Sequence, residues 1–383
     1  MNELLLLACI VLPPLTVTVI GRRLERGMEQ LDAEARAARC YRLSLVASAA
    51  ACLQLLAATA VLIALGDTMN WLETFVSATV TLGEMSTPWL STVLSTATVM
   101  LLFGLDLLAF ALPSLRLDRI NRGNNDAART QARQSLRATL AGFVPMLVWV
   151  GIYAAAPLEL ATSTVAISLA VTVFLCFSYC TAPLQIALAY ASDALPDEHP
   201  VAQAAAALCR DAGIRTPAMR VLKFGKSRIA NALVSGLLPS FRRIYVSDTM
   251  LEDFTAAEIR AILAHEIGHV RRHHLLAYLA ISLAATPLLS SAGSLASGIA
   301  GEEWTMLIGM VLLMLYWGFG FSFASRIFER QADRYAVEAT GDPATLRAAL
   351  EKLAAVNGTA RTRARWDIFN THPSIDERIR ALS

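Results

Sequence analysis

Apolar residues in this chain come in long runs rather than in strict alternation. Runs near twenty residues occur at about 3–20, 43–65, 89–113, 137–156, 161–190, 275–300 and 304–324. Each is close to the length an α-helix needs to cross the hydrocarbon core of a bilayer. The pattern predicts seven spans, the fifth long enough to run tilted. The first run is expected to be retained rather than removed as a leader, because Glu3 precedes it and no small-residue cleavage site follows.

Between the runs the pattern changes character. Residues 22–39, rich in Arg and with one Gly, predict an amphipathic helix on the inner membrane surface. Asn121–Asp126 reads as a turn. Residues 197–216 predict a helix ending at Gly213, and Arg220–Phe224, Ala230–Ser235 and Arg243–Ser247 predict three short strands. Thr255 and Glu258 form a capping box that opens a further helix, with no Gly or Pro before Gly268. That helix is expected to continue into the sixth span near Leu275, and the seventh to run unbroken from Trp304 towards Asp333. The organisation expected is therefore a five-span helical membrane region over residues 1–190. Residues 191–383 follow, carrying two more spans at about 275–300 and 304–324.

Composition agrees, with 55% hydrophobic and only 17% charged residues and no large net charge. Near neutrality points away from a nucleic-acid partner. Charge placement orients the chain. Residues 21–42 hold six basic residues, 114–137 six, 191–274 eleven and 326–383 ten, which accounts for all 33 Lys and Arg. The alternate loops hold only Asp67, Glu73, Glu84, Glu159, Glu302 and Glu303. By the positive-inside rule the N-terminus is expected outside and the C-terminus in the cytoplasm, in a cell inner or plasma membrane whose anionic lipids the arginines meet. Thirty Arg to three Lys suggests a GC-rich bacterial genome. Six cysteines without a C-x-x-C pair imply no disulfide framework. Asp106, inside the third span, is expected to face either a wet cavity or a helix–helix hydrogen bond.

The chemistry is concentrated at His265-Glu266-Ile267-Gly268-His269. On a helix, positions i and i+4 share a face, so both imidazoles can reach one zinc ion. Glu266, beside the first ligand, is placed to act as general base towards zinc-activated water. A catalytic zinc normally takes a third protein ligand and keeps one position open. Glu329 is the best candidate, with Asp333 one turn on to accept a hydrogen bond from a ligand imidazole. Taken alone, those two carboxylates are equally an ordinary charged helix face. His273 and His274, after Arg271-Arg272, read as solvating residues at the membrane interface.

These residues, with Ser325-Arg326, Ala332-Asp333, Thr371-His372-Pro373-Ser374, Arg378 and Asn231-Ala232-x-x-x-Gly236, resemble the integral-membrane zinc metalloproteases. That group includes the type I CAAX prenyl proteases and HtpX, and the resemblance covers roughly residues 200–383. It implies a mainly α-helical multi-pass protein with a small α/β gluzincin-type zinc peptidase region on the cytoplasmic side. It further implies one Zn2+ per chain held by His265, His269 and Glu329, with Glu266 as general base and Asp333 behind the ligands. His372 and Arg378 would lie near the substrate and stabilise the tetrahedral intermediate. His372 could equally serve only to position Pro373 and the last helix. Asn231 would sit on the edge strand that receives an extended peptide. The apolar Leu237–Arg242 segment is longer than the link expected between those strands.

Five spans before the signature and two after resemble the prenyl protease arrangement more than the four-span HtpX one. The function expected is a membrane-embedded zinc endopeptidase acting at the cytoplasmic face on a peptide or protein substrate, lipidated or membrane-associated. An HtpX-like quality-control protease and a sensor-transducer of the β-lactam type are the alternatives. The second of these would need a long extracellular segment.

Overall fold

The bilayer-length apolar runs fold as helices. The computed structural model describes residues 2–64, 88–122, 125–154, 164–300, 302–362 and 370–382. Helices α1 (Asn2–Glu25), α2 (Ala33–Ala64), α3 (Pro88–Arg122), α4 (Asn125–Ala154) and α5 (Thr164–Ala189) cover the first five runs. Among the described residues, four helical stretches are long and apolar enough to cross a membrane: Leu5–Glu25, Ala33–Val61, Ser168–Ala189 and Leu307–Thr340. A shorter apolar helical stretch covers His274–Leu288. The acidic loop residues Asp67, Glu73, Glu84 and Glu159 lie outside the described residues, as does the middle of the Asn121–Asp126 turn.

Residues 22–39 depart from expectation. They form no separate surface helix: α1 runs to Glu25, Gly27 turns the chain at φ 67°, and α2 starts at Ala33. Glycine takes that left-handed conformation at no steric cost, so the chain reverses there. α1, α2 and α3 close around Val17, Met28, Leu43, Phe110 and Leu117. Asp106 of α3 has a partner: the Gln54 amide of α2 donates to both its oxygens, at 3.0 and 3.1 Å. That is the helix–helix hydrogen bond of the two alternatives.

After α5 come β1 (Ser192–Ala194), α6 (Pro200–Asp211), β2 (Ala218–Leu222), β3 (Ala232–Ser235) and β4 (Arg243–Ser247). The sheet order is β1-β2-β4-β3, with β2 and β4 parallel and the other pairs antiparallel, which leaves β3 at an edge. β4 is buried on both faces. Ile244 and Val246 enter the main core, while Tyr245 packs with Leu222 and Phe224 against Ile186 and Tyr190 at the end of α5. The Tyr245 hydroxyl donates to the Pro183 carbonyl of α5 at 3.1 Å, so the sheet rests directly on a membrane helix.

Next come α7 (Asp248–Asp253), α8 (Ala256–Arg271), α9 (His274–Ala300) and α10 (Glu302–Leu315). A π-helical turn at Tyr316–Phe321 leads into α11 (Ser322–Thr340), and α12 (Pro343–Asn357) and α13 (Ile375–Ala381) complete the chain. Both halves of the Thr255–Glu258 capping box form, at 2.8 and 3.2 Å. α8 does not continue into α9, because His273 takes φ 58° and breaks the helix. α8 and α11 cross at Gly268, where an added Cβ would lie 3.0 Å from Tyr335 Cδ1 and 3.3 Å from Ala332 Cα. A residue without a side chain is what lets the two helices approach.

Candidate metal centre

That close crossing sets the faces of α8 and α11 against each other, and three donors meet between them. The ligand atoms of His265, His269 and Glu329 all lie within 4.8 Å of one another. His265 Nε2 and His269 Nε2 are 3.2 Å apart, and Glu329 oxygens stand 3.6 and 3.5 Å from them. His265 and Glu329 are buried.

Each donor is oriented from behind. Asp333 Oδ1 accepts from His265 Nδ1 at 2.9 Å, which puts the proton on Nδ1 and leaves Nε2 as a lone pair. Arg378 of α13 clamps Asp333 in turn, Nε to Oδ2 at 2.9 Å and Nη2 to Oδ1 at 2.6 Å. Its Nη1 lies 3.6 Å from Glu329 Oε2. Burial, with the adjacent His265, holds the His269 pKa at about 3, so this imidazole is neutral. Burial and Arg378 act to lower the His265 pKa, but the Asp333 hydrogen bond and the charges of Asp333 and Glu329 outweigh them and raise it.

The donor set fits a divalent cation on three counts. Two imidazole lone pairs facing each other at 3.2 Å repel unless a proton or cation lies between them. Glu329 Oε2 is buried and accepts no hydrogen bond, Arg378 Nη1 standing beyond that reach at 3.6 Å; a cation between the donors would complete this oxygen. Three carboxyl groups, Glu266, Glu329 and Asp333, stand around a single guanidinium, Arg378, so acidic groups outnumber basic side chains at the site. Two imidazoles and a carboxylate with an open fourth side is a donor chemistry that suits zinc.

A cleft of ≈ 610 Å³ opens over these donors, bordered on one side by β3 and on another by Thr371, His372 and Pro373. Glu266 faces it, and Glu266 Oε2 accepts from the backbone N–H of Val234 at 3.3 Å. Burial pushes the Glu266 carboxyl above the usual carboxylate range. His372 lines the cleft, its Nδ1 2.9 Å from Glu329 Oε1, and its side chain is 60% exposed. Asn231, just before β3, lines the far end. Its backbone is tied to Ser247, at 3.0 Å through N–H and 2.9 Å through C=O. Seven of the eight residues singled out in the sequence thus line one cleft, and the eighth, Asp333, stands behind His265. Arg378 spends two of its nitrogens on Asp333 rather than turning them to the open cleft.

Three contributions were not legible in the sequence. His274 is 1% exposed, not a solvating surface residue. Its Nδ1 lies 2.9 Å from His269 Nδ1 and its Nε2 2.9 Å from Gln331 Oε1. The Val234 amide is invisible to a side-chain motif. Asn357, at the end of α12, clasps the backbone of Ala230 through both its amide groups, at 2.9 and 2.8 Å, and so fixes the entry to β3.

This chain is similar to known proteins. Residues 197–383 match the model of peptidase family M48. Protease HtpX homolog 2 of Methanosarcina mazei is 26% identical over 212 residues, 46% of this chain and 68% of that protein. CAAX prenyl protease 1 homolog of Arabidopsis thaliana is 30% identical over 174 residues, and CAAX prenyl protease 1 of Saccharomyces cerevisiae 27% over 187. Each of these two matches covers 41% of both proteins, so the matched segment spans less than half of the prenyl proteases. The crystal structure of S. mikatae Ste24p has the same overall fold, with a TM-score of 0.61 at 19% identity over 100% of this chain and 99% of that one.

Proposed function

We propose that this chain, whose residues 197–383 match peptidase family M48, is a zinc metalloprotease of that family, an endopeptidase working at the cytoplasmic face of the membrane. The observation that carries this reading is the convergence of His265, His269 and Glu329 below a cleft whose wall is β3, an edge strand among the described residues. By charge placement along the sequence, the arginine-rich segments 21–42 and 114–137 are expected on the same side of the spans as 191–274 and 326–383, which supports the cytoplasmic assignment.

His265, His269 and Glu329 would hold the zinc, which when bound polarises the scissile carbonyl and acidifies water. The chain's own residues do the rest. Val234 is oriented away from β4, as its N–H contact with Glu266 requires. By the two-residue alternation of a strand, Ala232 is oriented the same way. An extended substrate pairs with the N–H and C=O of Ala232 and the C=O of Val234, as an added strand does. Its scissile bond then lies beside Glu266, whose carboxylate takes the proton of the attacking water and returns it to the leaving amine. The raised affinity of this carboxylate for a proton suits a base that must briefly hold one. His372 borders the same space and donates to the developing oxyanion. Arg378 acts from behind: by fixing Asp333 it fixes His265.

The substrate we propose is a lipidated or otherwise membrane-associated peptide, since Leu275 and Tyr278 of the apolar α9 and Phe321 at the end of the π-helical turn line the cleft. The test is mass-spectrometric mapping of cleavage by zinc-loaded protein on a CAAX-ended peptide with and without a farnesyl group, with Glu266→Gln as blank. Glu266-dependent cleavage of the farnesylated form alone fits the reading. Equal cleavage of both would replace a lipid-selective enzyme with a general membrane peptidase. Cleavage by Glu266→Gln at the wild-type rate would overturn the mechanism.

A further inference from the structure

We propose that His274 and Gln331 form an uncharged proton relay that fixes the tautomer of His269 and so sets the zinc affinity of the site; this rests on the reading of His269 as a ligand.

The geometry allows one assignment of protons. To offer Nε2 to a cation, His269 must carry its proton on Nδ1. The acceptor for that proton is His274 Nδ1, 2.9 Å away, which must then be a lone pair. The His274 proton therefore sits on Nε2 and is donated to Gln331 Oε1, also at 2.9 Å. Each donor in the chain meets one acceptor, and no step needs a charged form. His274 is held for this task. His273, at φ 58°, turns the chain out of α8, and the imidazole stacks on Phe328 of α11 with ring centres 4.5 Å apart and planes 12° apart. Gln331 lies two residues past Glu329, so the helix that supplies the third ligand also supports the second.

The two histidine ligands are thus supported in different currencies. His265 leans on an anion, Asp333, whose charge Arg378 offsets. His269 leans on a neutral pair. The difference follows from the charge balance: the site already sets three carboxyl groups against the one guanidinium of Arg378. A carboxylate in place of His274 would add a negative charge with no partner, in a buried site where unpaired charge is costly. A second imidazole orients the ligand without changing the total.

The experiment compares three single variants and the His274→Phe/Gln331→Leu double variant by zinc retained against a graded chelator, measured by elemental mass spectrometry, and by the visible spectrum of the cobalt-substituted protein. His274→Phe keeps the stack on Phe328 and loses the acceptor. His274→Gln loses the stack and keeps an acceptor oxygen. Gln331→Leu interrupts the relay one step further out. We expect His274→Phe to lose about 10- to 100-fold in zinc affinity and to shift the cobalt bands. His274→Gln should stay within about threefold of wild type, and Gln331→Leu should fall between them without adding to His274→Phe. Wild-type affinity in His274→Phe, equal losses in the Phe and Gln variants, or full additivity with Gln331→Leu would each overturn the relay. Should His274→Phe fail to fold, judged by thermal unfolding of the metal-free proteins, His274→Gln and Gln331→Leu still decide the matter. A wild-type affinity in Gln331→Leu then counts against the relay. His269→Ala separates this from the reading beneath it: if it keeps its zinc, the ligand assignment fails, whereas loss of zinc there with an unaltered His274→Phe sinks the relay alone.

Discussion

Replacing Asp333 by Leu should damage the protein in two separable ways. Asp333 is 4% exposed and Arg378 8%, and two nitrogens of the guanidinium sit on the two carboxylate oxygens at 2.9 and 2.6 Å. Losing one member of such a buried pair strands the other charge, at a cost of about 3–5 kcal/mol. The nearest remaining carboxylate oxygen, Glu329 Oε2, is 3.6 Å from Nη1 and is needed by the cation, so it offers only partial relief. Separately, His265 Nδ1 loses its acceptor at 2.9 Å, which should cost 10- to 100-fold in zinc affinity, about 1.4–2.7 kcal/mol. The companion variant is Arg378→Met. Made alone, it leaves Asp333 buried and unpaired, with a comparable loss. Made together, the two substitutions replace an ion pair with packed apolar groups, which is often neutral. Chemical unfolding of the metal-free proteins in mixed micelles, followed by tryptophan fluorescence, should give a coupling of at least about 2 kcal/mol in the double-mutant cycle. The double variant should therefore regain most of its stability and none of its zinc affinity. Additive losses of stability would refute the pairing, and recovered zinc affinity would refute the role of Asp333 in orienting His265.

Two further outcomes concern the helix that carries the signature. Gly268→Ala gains about 1 kcal/mol in helix propensity, but its methyl meets Ala332 Cα at 3.3 Å and Tyr335 at 3.0 Å, an overpacking of about 1–3 kcal/mol. Because α11 must move and carries Glu329, zinc affinity should fall more than stability does; unchanged zinc retention against chelator would show that the crossing tolerates the shift. Glu258 Oε2 accepts from Thr255 N–H at 2.8 Å and Lys352 Nζ at 3.0 Å, and although burial opposes ionisation these contacts hold its pKa below the usual 4.5. A lowered folded-state pKa means stability present above pH 4.5 and lost as pH falls through the folded value. Glu258→Gln should therefore cost about 0.5–1 kcal/mol at neutral pH and progressively less in acid, and a difference constant with pH would disprove the linkage.

Which features were legible in the sequence depends on which forces are local. The spacing of His265 and His269, and that of Glu329 and Asp333, needs only the helix repeat to put each pair on one face. The capping box is equally local. The strands β2, β3 and β4 carried their own β-branched and apolar residues. β1, by contrast, is Ser192-Asp193-Ala194, with no strand preference of its own; it exists because β2 offers it an edge directly after α5. The break between α8 and α9 has no Gly or Pro to announce it. It falls on His273, held at φ 58° because the next residue, His274, turns inwards onto His269, Phe328 and Gln331. Charge pairing was illegible for a related reason. Arg378 and Asp333 are 45 positions apart, and nothing in either segment says that the guanidinium lies behind the ligands instead of over the substrate.

The π-helical turn at Tyr316–Phe321 reconciles two demands placed on one continuous helix. Near the bilayer interior α10 must show apolar side chains outward, and Val311, Leu313 and Leu315 are exposed. Further along, α11 must bury Ser322, Ser325, Glu329, Ala332, Asp333 and Ala336 against the peptidase core. Traced back at helical spacing, that polar buried stripe passes through Gly318, which is buried, and then reaches Leu315 and Val311, which are not. In an unbroken α-helix one stripe would have to be buried and lipid-facing at once. A π turn inserts about one residue, which rotates everything beyond it by roughly 100°, and so frees the ligand face from the register of the span. The Tyr316 hydroxyl, donating to the Ile281 carbonyl of α9 at 2.6 Å, ties the start of that turn to the neighbouring apolar helix. Metal site and bilayer can then each impose its own residue pattern, because the helix that serves both changes its winding between them.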